Sequence, residues 1–169
     1  MMAERGGPGV TIRAAEERDT EVLLRLIREH AAYEDQSDAC VVTDPALRSA
    51  LFGPRPLAEA IVAEDAGKPV GFALFFFYFS PFPGVPGVFM ELLYVVSDRR
   101  GQGTGQALLQ HVARIAVERG AGRLEWGVLK ANESAIRFYT RLGATRDDDF
   151  VACRLEGDTL RRVAGGLPT

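Results

Sequence analysis

The sequence predicts a single α/β domain, and three observations carry that expectation. With 169 residues and an apolar fraction of 47%, the chain is large and apolar enough for one buried core. Runs of strand-forming residues are interleaved with runs of helical periodicity along it. A glycine cluster, Arg99 to Gly105, stands between a strand and a helix. The domain is expected over 10–156, with a flexible tail over 1–9 and a C-terminal tail over 157–169.

Val10 to Arg13 alternates apolar and polar residues, the pattern of a strand. Asp19 is then placed to cap a helix whose apolar face carries Val22, Leu23, Leu26 and Ile27 and which runs out at Tyr33, Glu34 and Asp35. A short second helix is expected from Thr43 as cap, with Pro45 in its first turn and Gly53 as its stop. Leu57 to Glu64 and Val70 to Phe79 read as an antiparallel hairpin around Asp65-Ala66-Gly67-Lys68. After a proline-rich loop, Val88 to Val96 forms a third strand of this group and leads into the glycines. Thr104 to Arg119 has helical spacing ended by Gly120, Arg123 to Leu129 is strand-like, and Asn132 caps a last helix closed by Gly143. Phe150 to Leu155 is expected as a final strand.

Charge narrows the function. A net charge of −3 with 25% charged residues points to neither a nucleic-acid partner nor an acidic tail. Cys40 and Cys153 form no CxxC pair and no metal-ligand cluster with His30 and His111, so no metal is expected, and a reduced, cytoplasmic protein is the simplest reading. The most apolar run, Val70 to Phe79, is far short of the roughly twenty residues of a membrane helix, and no membrane role is expected. No export signal is read at the start of the chain.

The segment Arg99-Arg100-Gly101-Gln102-Gly103-Thr104-Gly105 lets successive main-chain amides converge without Cβ obstruction. The dipole and free N–H groups of the helix behind it suit a phosphate or pyrophosphate. Taken alone, a glycine-rich turn without a ligand explains the cluster equally well. It is no P-loop, because no Lys-Ser or Lys-Thr follows the glycines, and no dinucleotide fingerprint, because Gln106 and Leu108 stand where a third glycine belongs.

The pattern Arg-x-x-Gly-x-Gly, met by Arg100, Gly103 and Gly105, resembles the acetyl-CoA pyrophosphate loop of the GNAT superfamily of N-acetyltransferases. A second stretch, NESAIRFYTRLGA over 132–144, is similar to that family's later helix. Within the superfamily the chain most resembles spermidine/spermine (diamine) and thialysine acetyltransferases, through LIREHAAYED, VGFALFFFYF and MELLYVVSDRRGQGTG. One departure stands out: those relatives have Glu-Asp where this chain has Glu91-Leu92, which removes an acid suited to a polycation.

The resemblance implies a central mixed β-sheet flanked by helices, with acetyl-CoA at its splayed middle, transfer of acetyl to a primary amine of a small molecule in a ternary complex, and a homodimer. The implied cofactor contacts are Leu93, Tyr94 and Val95 on the strand, Arg100, Gly101, Gln102, Gly103, Thr104, Gly105 and Gln106 in the loop, and Asn132, Ala135 and Tyr139 on the later helix. Tyr33, Glu34, Glu91 and Trp126 are the implied acceptor contacts.

A protonated alkyl amine, with a pKa of about 10.4, must lose a proton before it can attack a thioester. Glu91 is the one carboxylate in the apolar run Val88 to Val96, where desolvation would raise its basicity, and the resemblance assigns it this work; its other reading is a strand residue facing solvent. Tyr139 corresponds to the donor that protonates the departing thiolate, although it also shares an apolar stripe with Ile136 and Leu142. A main-chain amide near Leu93 to Val95 would meet the developing oxyanion. Tyr33 beside Glu34 suits an ammonium or is a solvated helix end, and Trp126 walls the acceptor site or packs in the core. The alternatives to a diamine or thialysine-like acceptor are an antibiotic or peptide amine, or a non-catalytic acyl-CoA sensor.

Overall fold

Six strands lie side by side in chain order: β1 (Glu4–Arg5), β2 (Val10–Ala14), β3 (Glu59–Asp65), β4 (Lys68–Ser80), β5 (Val85–Val95) and β6 (Arg123–Trp126). All neighbours are antiparallel except β5 and β6, which are parallel and need a crossover. The helices are α1 (Thr20–Tyr33), α2 (Asp44–Phe52), α3 (Thr104–Glu118), α4 (Glu133–Arg141) and α5 (Gly157–Ala164). This computed structural model describes residues 4–5, 9–149 and 151–166, and the chain divides into two compact units, Met1–Gly127 and Val128–Thr169.

In the first unit the expected α/β order is realised as a mixed sheet with helices on both faces. Ala66 and Gly67 take left-handed backbone, φ 48° and 76°, the two-residue hairpin turn whose twist matches the strands it joins. Side chains alternate across each strand, so Val62, Phe72 and Tyr94 share one face and pack with Leu23 and Leu26 of α1 and Leu47 and Leu51 of α2. The opposite face belongs to α3, whose Leu108, Val112 and Ile115 are buried and whose last turn lays Arg119 over the Phe77 ring at 5.0 Å. Each such fully buried aliphatic side chain contributes about 2 kcal/mol.

Several expected caps form. Thr43 Oγ1 accepts the Ala46 N–H at 3.4 Å, and Asn132 Oδ1 accepts the Ala135 N–H at 3.1 Å. Asp19 does not cap α1: its buried carboxylate is gripped by the Arg13 guanidinium at 2.6 and 2.9 Å and accepts the Glu16 N–H at 2.7 Å. Arg13 also pairs with Glu64, which ties β2, β3 and the start of α1 together. The Arg13 partner holds the Asp19 carboxyl below the usual carboxylate range, against the opposing effect of burial.

Further expectations differ from the structure, among them the strand read over Arg123 to Leu129, which ends at Trp126. Glu4–Arg5, within the stretch read as a tail, pairs with Thr11 and Ile12; residues 1–3 and 6–8 lie outside the described set. Val151 to Leu155 forms no strand: every residue there is exposed and none has a ladder partner among the described residues, and an isolated short run of this kind cannot hold β geometry. Phe150, the first residue of that expected strand, is outside the described residues. The C-terminal stretch from Gly157 carries α5, with Arg161 reaching Asp158 at 2.6 Å; residues 167–169 are outside the described set.

Candidate active site

The site grows from an interruption in β5. Leu92 faces Leu74 and Met90 faces Phe75, which leaves Glu91 between them as an extra residue with no partner on β4. Such a bulge bends the strand and re-aims the side chain at the extra position. Glu91 is exposed, so the desolvation anticipated from its apolar neighbours is absent; the bulge turns it outward despite the run in which it sits. On the other side of β5, pairing with β6 ends at Met90 opposite Trp126. Trp126 is half-buried and shares the α3 face with Met90, one residue before the bulge.

Beyond the bulge β5 keeps β4 and has no β6. Val96 N–H bonds the Val70 carbonyl at 3.0 Å, and antiparallel ladders alternate, so the amides of Leu92, Tyr94 and Val96 turn toward β4 while those of Leu93 and Val95 turn toward the uncovered edge. Of the three strand residues singled out in sequence, Leu93 and Val95 thus present main-chain groups to the opening. Tyr94 instead contributes a buried ring to the α1 face, tilted against His30 at 5.4 Å.

The glycine loop follows directly. Gly101 and Gly103 adopt φ 73° and 87°, a left-handed backbone that glycine takes without strain, and a Cβ on either would enter open space. The first intrahelical bond of α3 runs from Ala107 N–H to the Gly103 carbonyl at 3.0 Å, so the amides of Thr104, Gly105 and Gln106 precede it. Gly103, the cap residue, has no side chain to satisfy them. Gly105 lies beside β5, where a Cβ would make ordinary contact with Leu93 and Val95 at 3.8 Å. Gln102 braces the loop by donating from Nε2 to the Asp98 carbonyl at 3.0 Å. The Arg100 amide is engaged at 3.4 Å with the Ser97 carbonyl, so the open cradle spans Gly101 to Gln106. Open space, left-handed glycines and a helix N-terminus fit a diphosphate.

At the end of α1, Tyr33 is exposed and its ring lies under the Arg100 guanidinium, with Cζ 4.0 Å from the centroid. Glu34 Oε1 is 3.4 Å from His30 Nε2. Burial pushes the His30 pKa down, the Glu34 carboxylate opposes this, and Arg100 adds to the lowering. The pair expected to greet an ammonium is therefore joined to His30, its i,i+4 neighbour on the helix, and to Arg100, a cationic partner that the spacing of the sequence gives no sign of.

In the second unit, Asn132 caps α4 through the Ala135 amide, and Tyr139 lies half-buried with its ring 5.0 Å from that of Phe138. His111, on α3, is buried, and burial lowers its pKa. Asp147, Asp148 and Asp149 are exposed.

Residues 28–144 match the acetyltransferase (GNAT) family. The chain is similar to a thialysine N-epsilon-acetyltransferase of Bos taurus, 36% identical over 167 residues that cover 92% of this chain and 98% of the relative. It is also similar to an L-ornithine N5-acetyltransferase of Arabidopsis thaliana, 28% identical with 90% and 86% of the two chains covered. Among solved structures, an integron cassette protein from the mobile metagenome of V. cholerae superposes with a TM-score of 0.78 at 27% identity, covering 92% of this chain and 98% of that one. With a match over most of its length and an anion cradle where the motif places it, the chain belongs to the GNAT family and is an enzyme of the acetyl-CoA-dependent N-acetyltransferase class.

Proposed function

We propose that the protein transfers the acetyl group of acetyl-CoA to the side-chain amine of an amino acid or a similar small monocation, by direct attack in a ternary complex. The observation that carries this reading is the continuity of three features: an exposed Glu91 on the β5 bulge, edge-facing amides at Leu93 and Val95, and the open cradle from Gly101 to Gln106. The cradle would hold the diphosphate, and the Leu93 or Val95 amide would receive the thioester oxygen as it gains charge. Glu91 would accept the ammonium proton, directly or through a water, because its carboxylate is exposed on the bulge beside the opening in β5. Tyr139 is proposed to protonate the leaving thiolate on the strength of its place in the family motif; Asn132 and Ala135 are proposed contacts of the cofactor on the same ground.

The acceptor class rests on two supports. The relatives named above act on thialysine and L-ornithine, each an amino acid with a side-chain amine. Leu92 stands where the resemblance places an acid suited to a polycation, which favours an acceptor of net charge +1, such as an amino acid whose α-carboxylate offsets its second ammonium, over a polyamine chain. Tyr33, Glu34 and Trp126 remain the proposed acceptor contacts, and a cytoplasmic homodimer is the proposed assembly. Among the described residues no helix is long and apolar enough to cross a membrane.

Thiol release from acetyl-CoA across thialysine, ornithine, lysine and spermine tests the proposal. Turnover is expected with the amino acids and to be weaker with spermine. A protein that binds CoA yet releases no thiol with any amine would be a sensor and no acetyltransferase of this kind. Glu91→Gln should lower kcat about a hundredfold with CoA affinity preserved. An unaltered rate would remove Glu91 from the chemistry.

A further inference from the structure

Arg100 stands at the first position of the Arg-x-x-Gly-x-Gly pattern, yet its side chain is turned to the end of β5 and to Tyr33. Nε donates to the Val95 carbonyl at 2.9 Å, the group that β5 turns toward its uncovered edge. The guanidinium carbon lies 4.0 Å from the Tyr33 centroid and 5.3 Å from that of Tyr94. One side chain therefore touches the end of β5, the last residue of α1 and, through its own backbone, the first residue of the loop. A planar, permanently charged group suits this place, because stacking on a ring leaves its edge N–H groups free to bond a carbonyl.

We infer that Arg100 is a positioning residue, a brace that fixes the pyrophosphate loop against the end of α1, so that Tyr33 and Glu34 and the cradle are held in one arrangement. The inference rests on the proposed reading of the cradle as the CoA site and deepens it by assigning the Arg100 side chain to support, with phosphate contact left to the amides. Its consequence is thermodynamic: a change at Tyr33, on the acceptor side, must alter affinity at the cradle, and a change at Arg100 must alter acceptor affinity, because coupling between two sites is reciprocal. The Tyr33 ring is exposed, where a cation–π contact is worth a few-fold in affinity.

CoA binding to the full chain, measured by calorimetry with no acceptor present, provides the test. Tyr33→Ala should weaken CoA about threefold, although Tyr33 is no part of the cradle. Arg100→Ala should weaken it about tenfold, since the Val95 bond is lost as well. Tyr33→Phe keeps the ring and should restore the wild-type CoA affinity. The double variant Arg100→Ala/Tyr33→Ala should be no weaker than Arg100→Ala alone, because the second change removes a contact already gone. In steady state, Arg100→Ala should also raise the acceptor KM while changing kcat less. Melting curves establish that each variant is folded.

If the two single effects multiply in the double variant, or Tyr33→Ala leaves CoA affinity unaltered while Arg100→Ala lowers it, the guanidinium acts on the phosphates and the brace is wrong. A wild-type protein with no CoA affinity would overturn both the brace and the proposed function beneath it. Normal wild-type binding with the outcomes just described would sink the brace alone.

Discussion

The N-termini of α3 and α4 begin with the same four unpaired amides and meet them in opposite ways. In α4, Asn132 turns its side chain onto the Ala135 N–H at 3.1 Å, so one donor is satisfied from within. In α3, the cap residue is Gly103 at φ 87°, which offers nothing, and the preceding Gly101 keeps the approach clear. A capped terminus is a structural end; an uncapped one beside two left-handed glycines leaves its amides open, as the proposed diphosphate cradle requires. A third terminus, that of α1, shows why residue type is insufficient evidence. Asp19 has the side chain of a cap, but the Arg13 guanidinium claims it.

The largest expected effect sharpens that third case. Asp19→Ala leaves Arg13 facing only Glu64 and removes the buried acceptor of the Glu16 N–H, so unfolding free energy should fall by about 3 kcal/mol in a denaturant titration. A loss near 1 kcal/mol would mean that Asp19 acts as an ordinary cap after all. The same pairing sets an acid limit. Because Arg13 lowers the folded-state pKa of Asp19, its stabilisation is complete above the ordinary value of 3.8 and drains away as pH falls below it.

Next comes Gly103→Val, which puts a β-branched residue at φ 87° and a side chain into the cradle. The strain of roughly 2 kcal/mol lowers stability whether or not CoA is bound, and it is the side chain filling the cradle that should weaken CoA, by about tenfold or more. Normal CoA binding by this variant would mean the diphosphate sits elsewhere. Asn132→Ala is the milder counterpart: about 1 kcal/mol lost from α4, read as faster amide exchange across Glu133–Arg141.

The smallest effect probes the body of α3 apart from its terminus. His111 is held neutral by burial, so the unfolded chain takes up a proton more readily than the folded one. Stability should decline as pH drops below the ordinary value of 6.5, and His30 adds to the same window. His111→Gln should flatten the change in melting temperature between pH 7 and 5. An undiminished slope would place the acid sensitivity in His30 or elsewhere.

Much of this was legible in the residues, for physical reasons that differ from place to place. Ala66-Gly67 and Thr43-Asp44-Pro45 announce a hairpin turn and a helix start because local sterics alone decide them. The loop glycines announce an anion cradle because only glycine takes those dihedrals without strain. Glu91 stands out in sequence as the one carboxylate in β5, but its exposure does not follow from that run, since a bulge is a mismatch between two strands and neither strand shows it alone. Arg100 was legible as a motif residue; its stacking on Tyr33 was hidden, because 67 positions separate the two in the chain and only the fold closes that distance.

By itself the sequence determined what depends on local backbone preference and periodicity: the alternation of strands and helices, the turn at 65–68, the uncapped start of α3 and the family to which these belong. Only the tertiary structure decided which residue of β5 is extruded, that β6 parts from β5 at Met90, that Arg13 takes Asp19 from α1 and that Arg100 joins the loop to Tyr33. Each of these is a pairing between distant segments. Its outcome is set by competition among partners for one hydrogen-bonding or stacking position, and a residue's neighbours in the chain do not record who wins.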